Sequence, residues 1–243
     1  YSRTRVLEYL GLDDTILDIG LTPNRADCNA MWNLAKEVGA VLHREVTWPD
    51  CKSASQIGTP GNFKVASKTE KCPVFVGKVV NHVKVGPSPK WLSNYLHAYG
   101  IKSINNVVDI SNFVMVETGQ PLHYYDLSKL PHHEITVVDD VEMTMQALDG
   151  QDYEIKKGDL LITTGGEPTG IAGIMGGEES KIDESTTSIF IEAAVFNAVS
   201  IRNTSRRLGL STEAAMHFTK GVEPMAPIKA VDRSVQLLKE LAE

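Results

Sequence analysis

An α+β fold is what this sequence predicts, on three observations. From residue 134 onward, short apolar runs at 134–138, 153–155, 159–164, 170–175 and 187–193 are separated by Gly, Asp and Lys turns, the spacing of a β-rich core. On either side of that stretch, apolar residues recur every three or four positions, the period of helices that cover a sheet. The 243 residues, 42% hydrophobic and 23% charged, suffice to bury a full core in one large domain or two fused small ones.

In chain order, Leu21-Thr22-Pro23-Asn24-Arg25 is a turn-like approach to a helix over 27–42, where Met31, Leu34, Ala35, Val38, Val41 and Leu42 keep the spacing of one buried stripe. Residues 47–62, rich in Ser, Thr, Gly and Pro, read as a long mobile connection and a candidate boundary between two lobes. A β-branched run at 74–80 is a buried strand. Ser88-Pro89 then supplies an N-cap and a proline at the first helical position, for a helix ending at Tyr99 with Gly100 beyond it. Trp91, Leu92, Tyr95, Leu96 and Tyr99 fall on one face of that helix. Asn105 or Asn106 caps a further helix through Val116, closed at Gly119. After the strands come helices over 197–208, stopped by Gly209, and over 212–219, then a last one striped by Val231, Val235, Leu238 and Leu241.

Composition narrows the function by exclusion. No stretch has the roughly 18 apolar residues of a membrane span, and Tyr1-Ser2-Arg3-Thr4-Arg5 carries no signal-peptide segment, so the cytoplasm is the expected location. Cys28, Cys51 and Cys72 are odd in number and far apart, which argues for free thiols over disulfides or a thiolate zinc site. The net charge of -7 speaks against a protein that mainly grips a phosphate backbone. Local contact is still open to Arg202, Arg206 and Arg207, which form either a small positive patch or a solvated helix face.

Three segments could carry chemistry. Between 104 and 126, Asn, Asp and His are dense for a core element; Asp109 and Asn112 lie on neighbouring turns of one helix face, and Gly119 and Pro121 turn the chain to deliver His123. His123 is either a structural histidine or a ligand for substrate or water; no second histidine stands at the spacing of a metal pair, so metal catalysis is not expected. The second segment, 170–177, lacks the endings of a phosphate-binding loop; its glycines at 173, 176 and 177 either let backbone amides approach a ligand or simply form tight turns. In the third, Ser188 to Ala194, alternation puts Phe190 and Glu192 on one face, which points inward or, on an edge strand, toward water. A buried carboxylate is costly without a partner, and a hydroxyl-bearing ligand would be a suitable one. With no Gly-x-Ser-x-Gly elbow, the attacking group of a hydrolase here would be a positioned water.

The segments "LTPNRADC" at 21–28, "INNVVDISNFVM" at 104–115, "GQPLHYYDL" at 119–127, "IAGIMGG" at 171–177, "IEAAVF" at 191–196 and "SIRNTSRRLGLSTEA" at 200–214 resemble, in order, the β subunit of bacterial-type phenylalanyl-tRNA synthetase. The resemblance implies that residues 1–243 are the B3/B4 editing domain of a longer β subunit, with two intertwined lobes and a β-sandwich of unusual topology flanked by helices. Its implied function is to hydrolyse tyrosyl-tRNA(Phe) made in error. Carried over by motif, His123 and Asn112 are catalytic, and Ser111, Pro121, Ala172, Gly173, Glu192, Thr212 and Ala214 bind substrate.

The implied partners are tRNA(Phe), the synthetase α subunit in an α2β2 enzyme, and tyrosine as the editing ligand. No cofactor is expected in this domain, ATP and Mg belonging to the whole enzyme. Rival readings are a free-standing deacylase and a structural scaffold without hydrolysis. Two departures from the family pattern stand beside the motifs: Tyr124-Tyr125 follow His123 where a small residue and phenylalanine are usual, and Thr219-Lys220-Gly221 replace Glu-Arg-Gly.

Overall fold

Local chemistry sets most of the element boundaries. In the computed structural model, which describes residues 3–11, 13–49, 51 and 61–243, α1 (Arg3–Leu10) leads to a 3-10 turn (Ala26–Asn29) and α2 (Met31–Leu42). Then follow β1 (Lys64–Ser67), β2 (Val74–Asn81), α3 (Lys90–Tyr99), α4 (Asn106–Thr118), β3 (Leu122–Asp126), β4 (Glu134–Val138), β5 (Met143–Gln146), β6 (Asp152–Ile155) and β7 (Leu161–Thr164). The chain continues with β8 (Glu167–Ile171), β9 (Met175–Gly176), β10 (Ser188–Val195), α5 (Ala198–Leu208), α6 (Glu213–Lys220) and α7 (Ala226–Leu241).

The helix ends carry the expected groups. The side chains of Asn105, Asn197 and Thr212 accept the first amides of α4, α5 and α6, and Gly100, Gly119 and Gly209 close α3, α4 and α5 in left-handed geometry. Ser88 does something else: Pro89 takes the cap position of α3, and the Ser88 hydroxyl donates across to Asp109 at 2.5 Å.

Two sheets and a helical layer share one strand. The larger sheet runs β1-β4-β7-β8-β9, parallel between β1 and β4 and antiparallel beyond; the smaller runs β2-β10-β3, antiparallel throughout; β5 and β6 form a separate ribbon. Because side chains alternate along a strand, β10 serves two cores. Phe190 and Ala194 join the cluster with Ile135, Leu161 and Ile171 of the larger sheet. Ile189, Ile191 and Ala193 join Leu92, Val107, Ile110 and Leu238 of α3, α4 and α7. This mixed α+β arrangement matches the predicted class.

Four expectations need correction. The α2 stripe is not buried: Met31, Val38, Val41 and Leu42 are 40%, 47%, 75% and 58% exposed. The inward contacts of that region are made instead by Cys28, Ala30 and Gly39, where Arg44 and Val46 fold back so closely that a Cβ on Gly39 would meet them at 2.9 and 2.7 Å. On α3, Leu92 and Leu96 are buried while Trp91 and Tyr95 are 41% and 62% exposed and pack on each other and on Phe113. The run at 170–175 is no single strand; a turn at Ala172-Gly173-Ile174 splits it into the β8–β9 hairpin. Finally, 122–126 is a strand, although its polar and aromatic residues give no clean apolar alternation. The connection expected over 47–62 falls, at 50 and 52–60, outside the described residues.

Candidate functional site

The smaller sheet, the β8–β9 hairpin, one side of α4 and the start of α6 enclose a cavity of about 480 Å³. Every residue expected to bind or act on substrate lines it: Ser111 and Asn112 on α4, Pro121 and His123 at the start of β3, Ala172 and Gly173 in the hairpin turn, Glu192 on β10, and Thr212 and Ala214 at the start of α6. Strand pairing brings together residues 69 positions apart, since Glu192 sits directly opposite His123 in the β10–β3 register.

Glu192 is inward. Its strand lies between β2 and β3, so the water-facing alternative is closed, and the residue is 6% exposed. The Tyr125 hydroxyl donates to Glu192 Oε2 at 2.5 Å. Burial pushes the Glu192 carboxyl up to about 7, opposed by that hydrogen bond. Burial and the facing carboxylate in turn hold the Tyr125 phenol well above its ordinary range.

His123 lies edge-on to Tyr125, with centroids 4.5 Å apart and planes at 78°. Its ring fits because residue 176 is glycine: a Cβ there would lie 2.3 Å from the imidazole. Nε2 is buried and finds no hydrogen-bond partner among the described residues. Burial pushes the imidazole down to about 4, so at neutral pH His123 is an uncharged group that can orient a polar ligand but stores no proton.

Several of the expected residues also make contacts with the backbone or the core beside the site. Thr212 accepts the Ala215 amide and donates to the Ile174 carbonyl at 2.9 Å, tying the start of α6 to the hairpin turn. The Ser111 hydroxyl donates to the Val108 carbonyl within α4. Gly173 has φ +67°, and a Cβ on it would strike Phe218 and Phe196 in the core behind the turn, at 2.8 and 2.9 Å. Its glycine is therefore demanded by turn geometry and by the core. Asp109, expected to accompany Asn112, faces away from the cavity chemistry: it is fully buried and accepts from Ser88, Ser103 and the Ile104 amide.

The three arginines are all exposed on α5 and differ in their partners. Arg202 donates to the Thr219 carbonyl, and Arg207 pairs with Asp159 and donates to the Glu154 carbonyl; Arg206 is exposed on α5. Sequence reading missed Tyr125 as a site residue. Its signal was there: 123 and 125 share a strand face by alternation, and that face pairs with Glu192 and Phe190. Both departures from the family pattern now have partners, since Tyr124 shares a 2.5 Å hydrogen bond with Ser234 of α7, and Lys220 reaches Asn29. Among the described residues no group of three His, Cys, Asp or Glu could hold a metal ion, and no helix is long and apolar enough to cross a membrane.

The profile of the B3/4 domain family matches residues 71–243. A phenylalanine–tRNA ligase beta subunit of Geobacter sulfurreducens is 42% identical over 242 residues, covering 98% of this chain and 30% of that protein. The namesakes from Halalkalibacterium halodurans and Staphylococcus haemolyticus are 40% and 43% identical, covering 97% and 98% of this chain. The chain spans 30% of the length of these curated relatives. A solved N-terminal fragment of the phenylalanyl-tRNA synthetase beta-subunit from Pyrococcus horikoshii aligns at a TM-score of 0.43 and 11% identity, over 91% of this chain and 69% of that one, too loosely to carry an argument.

Proposed function

This chain belongs to the B3/4 domain family, and from that premise we propose that it is the editing module of a phenylalanine–tRNA ligase, hydrolysing the ester of tyrosyl-tRNA(Phe) with a positioned water. The observation that carries the reading is Glu192: a nearly buried carboxylate lining a cavity of about 480 Å³ otherwise walled largely by apolar groups.

Tyrosine exceeds phenylalanine by one hydroxyl. An apolar pocket cannot strongly reject that group, whereas a pocket built to bond it can require it. A phenylalanyl ring in its place would leave an oxygen of Glu192 desolvated and unpaired, a cost of roughly 1–3 kcal/mol. Correctly charged tRNA is thereby spared. The Gly173 amide is the second candidate contact for the hydroxyl. Neutral His123 and Asn112 orient the ester and the attacking water, and Ala214 shapes the wall.

Aminoacylation, with its ATP and Mg, belongs in this reading to other parts of the ligase, as do the α subunit and most of the grip on tRNA. Of the three arginines on α5, Arg202 and Arg207 also bond within the fold, which leaves Arg206 the most available to add to that grip. The exposed apolar face of α2 favours a second reading, a scaffold module that packs the enzyme together without hydrolysis. Deacylation of tyrosyl-tRNA(Phe) by the assembled ligase separates the two. Glu192→Ala, His123→Ala and Ala214→Trp are each expected to slow it at least tenfold, and wild-type rates in all three would leave only the scaffold.

A further inference from the structure

Glu192 already has a phenol. Tyr125 approaches it from β3, its ring centroid 4.5 Å from that of His123 and 6.3 Å from that of Phe190, and its hydroxyl meets Oε2 at 2.5 Å. A tyrosine ligand would bring a second phenol to the same carboxylate.

We propose that Tyr125 is the residue that sets how strongly this pocket separates tyrosine from phenylalanine, by acting as a resident hydroxyl that keeps one oxygen of Glu192 bonded whatever occupies the cavity. The inference rests on the tyrosine-selective reading above. With Tyr125 in place, phenylalanine leaves one carboxylate oxygen without a donor; without it, phenylalanine would leave both. Hydrogen bonds to one carboxylate also share its charge, so the bond from a ligand is weaker when Tyr125 has made the first. Tyr125 therefore lowers selectivity and, in return, favours the ionised form of the carboxylate and holds it in one rotamer in the empty pocket.

The groups around Glu192 allow that coupling to be read by titration. From β3 come Tyr125 and His123, the latter uncharged at neutral pH. The β2 partner is Gly77, which carries no charge, and Cys72, ahead of β2, is a thiol that burial, with Glu192 as a second cause, pushes up to about 12. Lys181 and Glu213 are the other charged residues that line the cavity. Tyr125 is the only one of these with a hydrogen bond to Glu192 among the described residues.

The test measures L-tyrosine and L-phenylalanine affinities for the chain and for Tyr125→Phe by calorimetry across pH, using their ratio so that titration of the shared amino and carboxyl groups cancels. In the wild type the ratio rises as Glu192 ionises, near pH 7. Tyr125→Phe removes one oxygen and leaves the ring, so the fold is retained. The midpoint should move up by about one pH unit, and above it, at roughly pH 9, the tyrosine-to-phenylalanine ratio should exceed wild type by about fivefold. An unchanged midpoint and ratio, with wild type still preferring tyrosine, overturns the proposal alone; equal affinities in the wild type at every pH overturn the tyrosine-selective reading and this proposal with it. A merely structural tyrosine would change both affinities together and leave the midpoint in place.

Discussion

Two buried carboxylates, one on α4 and one on β10, have opposite surroundings. Asp109, at the start of α4, is fully buried and takes the hydroxyls of Ser88 and Ser103 and the Ile104 amide. Glu192, on the strand beneath the cavity, is 6% exposed and takes the single donor Tyr125. The first is a saturated anchor that fastens the α3–α4 connection. The second has bonding capacity left over, and that surplus faces a space large enough for an amino acid. Burial alone does not separate an anchor from a site; the number of donors does.

The largest effect expected from this contrast is on stability. Asp109→Ala removes a fully buried acceptor shared by three donors and should lower the unfolding free energy by about 4 kcal/mol, read by urea denaturation. A loss under about 1 kcal/mol would break the contrast, because Asp109 would then be no anchor.

Glu192 should behave in the reverse way, and pH exposes it. Its folded-state carboxyl is raised to about 7 from an ordinary 4.5, so its contribution to stability is complete below 4.5 and is lost as pH rises through 7. Relative to Glu192→Gln, the wild type should therefore lose roughly 3 kcal/mol between pH 4 and pH 9. Parallel stability profiles of the two proteins would mean that Glu192 is as well satisfied as Asp109.

The smallest of these effects tests the residue that works between the two regimes. Thr212→Ala deletes the α6 cap and the bond to the Ile174 carbonyl, at a cost of about 1 kcal/mol in thermal or chemical unfolding. It should also weaken tyrosine binding, because the hairpin turn that carries Gly173 loses its tie to α6. Stability loss with unchanged binding would show that the turn is set by Gly173 and its core contacts alone.

Much of this architecture is legible in the residues. The caps Asn105, Asn197 and Thr212 and the terminators Gly100, Gly119 and Gly209 act within a few positions, and each does what its chemistry requires. The α2 stripe misled for the opposite reason: periodicity reports that a helix has an apolar face, and says nothing about what lies against it. Strand 122–126 was missed because His123, Tyr124 and Tyr125 are each polar at one end, and the two tyrosine rings count as apolar only once Glu192 and Ser234 take up their hydroxyls.

By itself the sequence determined the α+β class, the helix ends, the inward-or-outward pairing of Phe190 with Glu192, and the residues that would gather in a pocket if the family resemblance held. Only the tertiary structure decided that β10 lies between β2 and β3, and hence that Glu192 is buried, that Tyr125 and not solvent meets it, and that Gly176 makes the room for His123. The physical reason is range. Capping and turn chemistry are settled between neighbours a few residues apart, whereas the state of a carboxylate depends on which strands pair beside it and in what register, and those contacts join residues 67 positions apart in the chain.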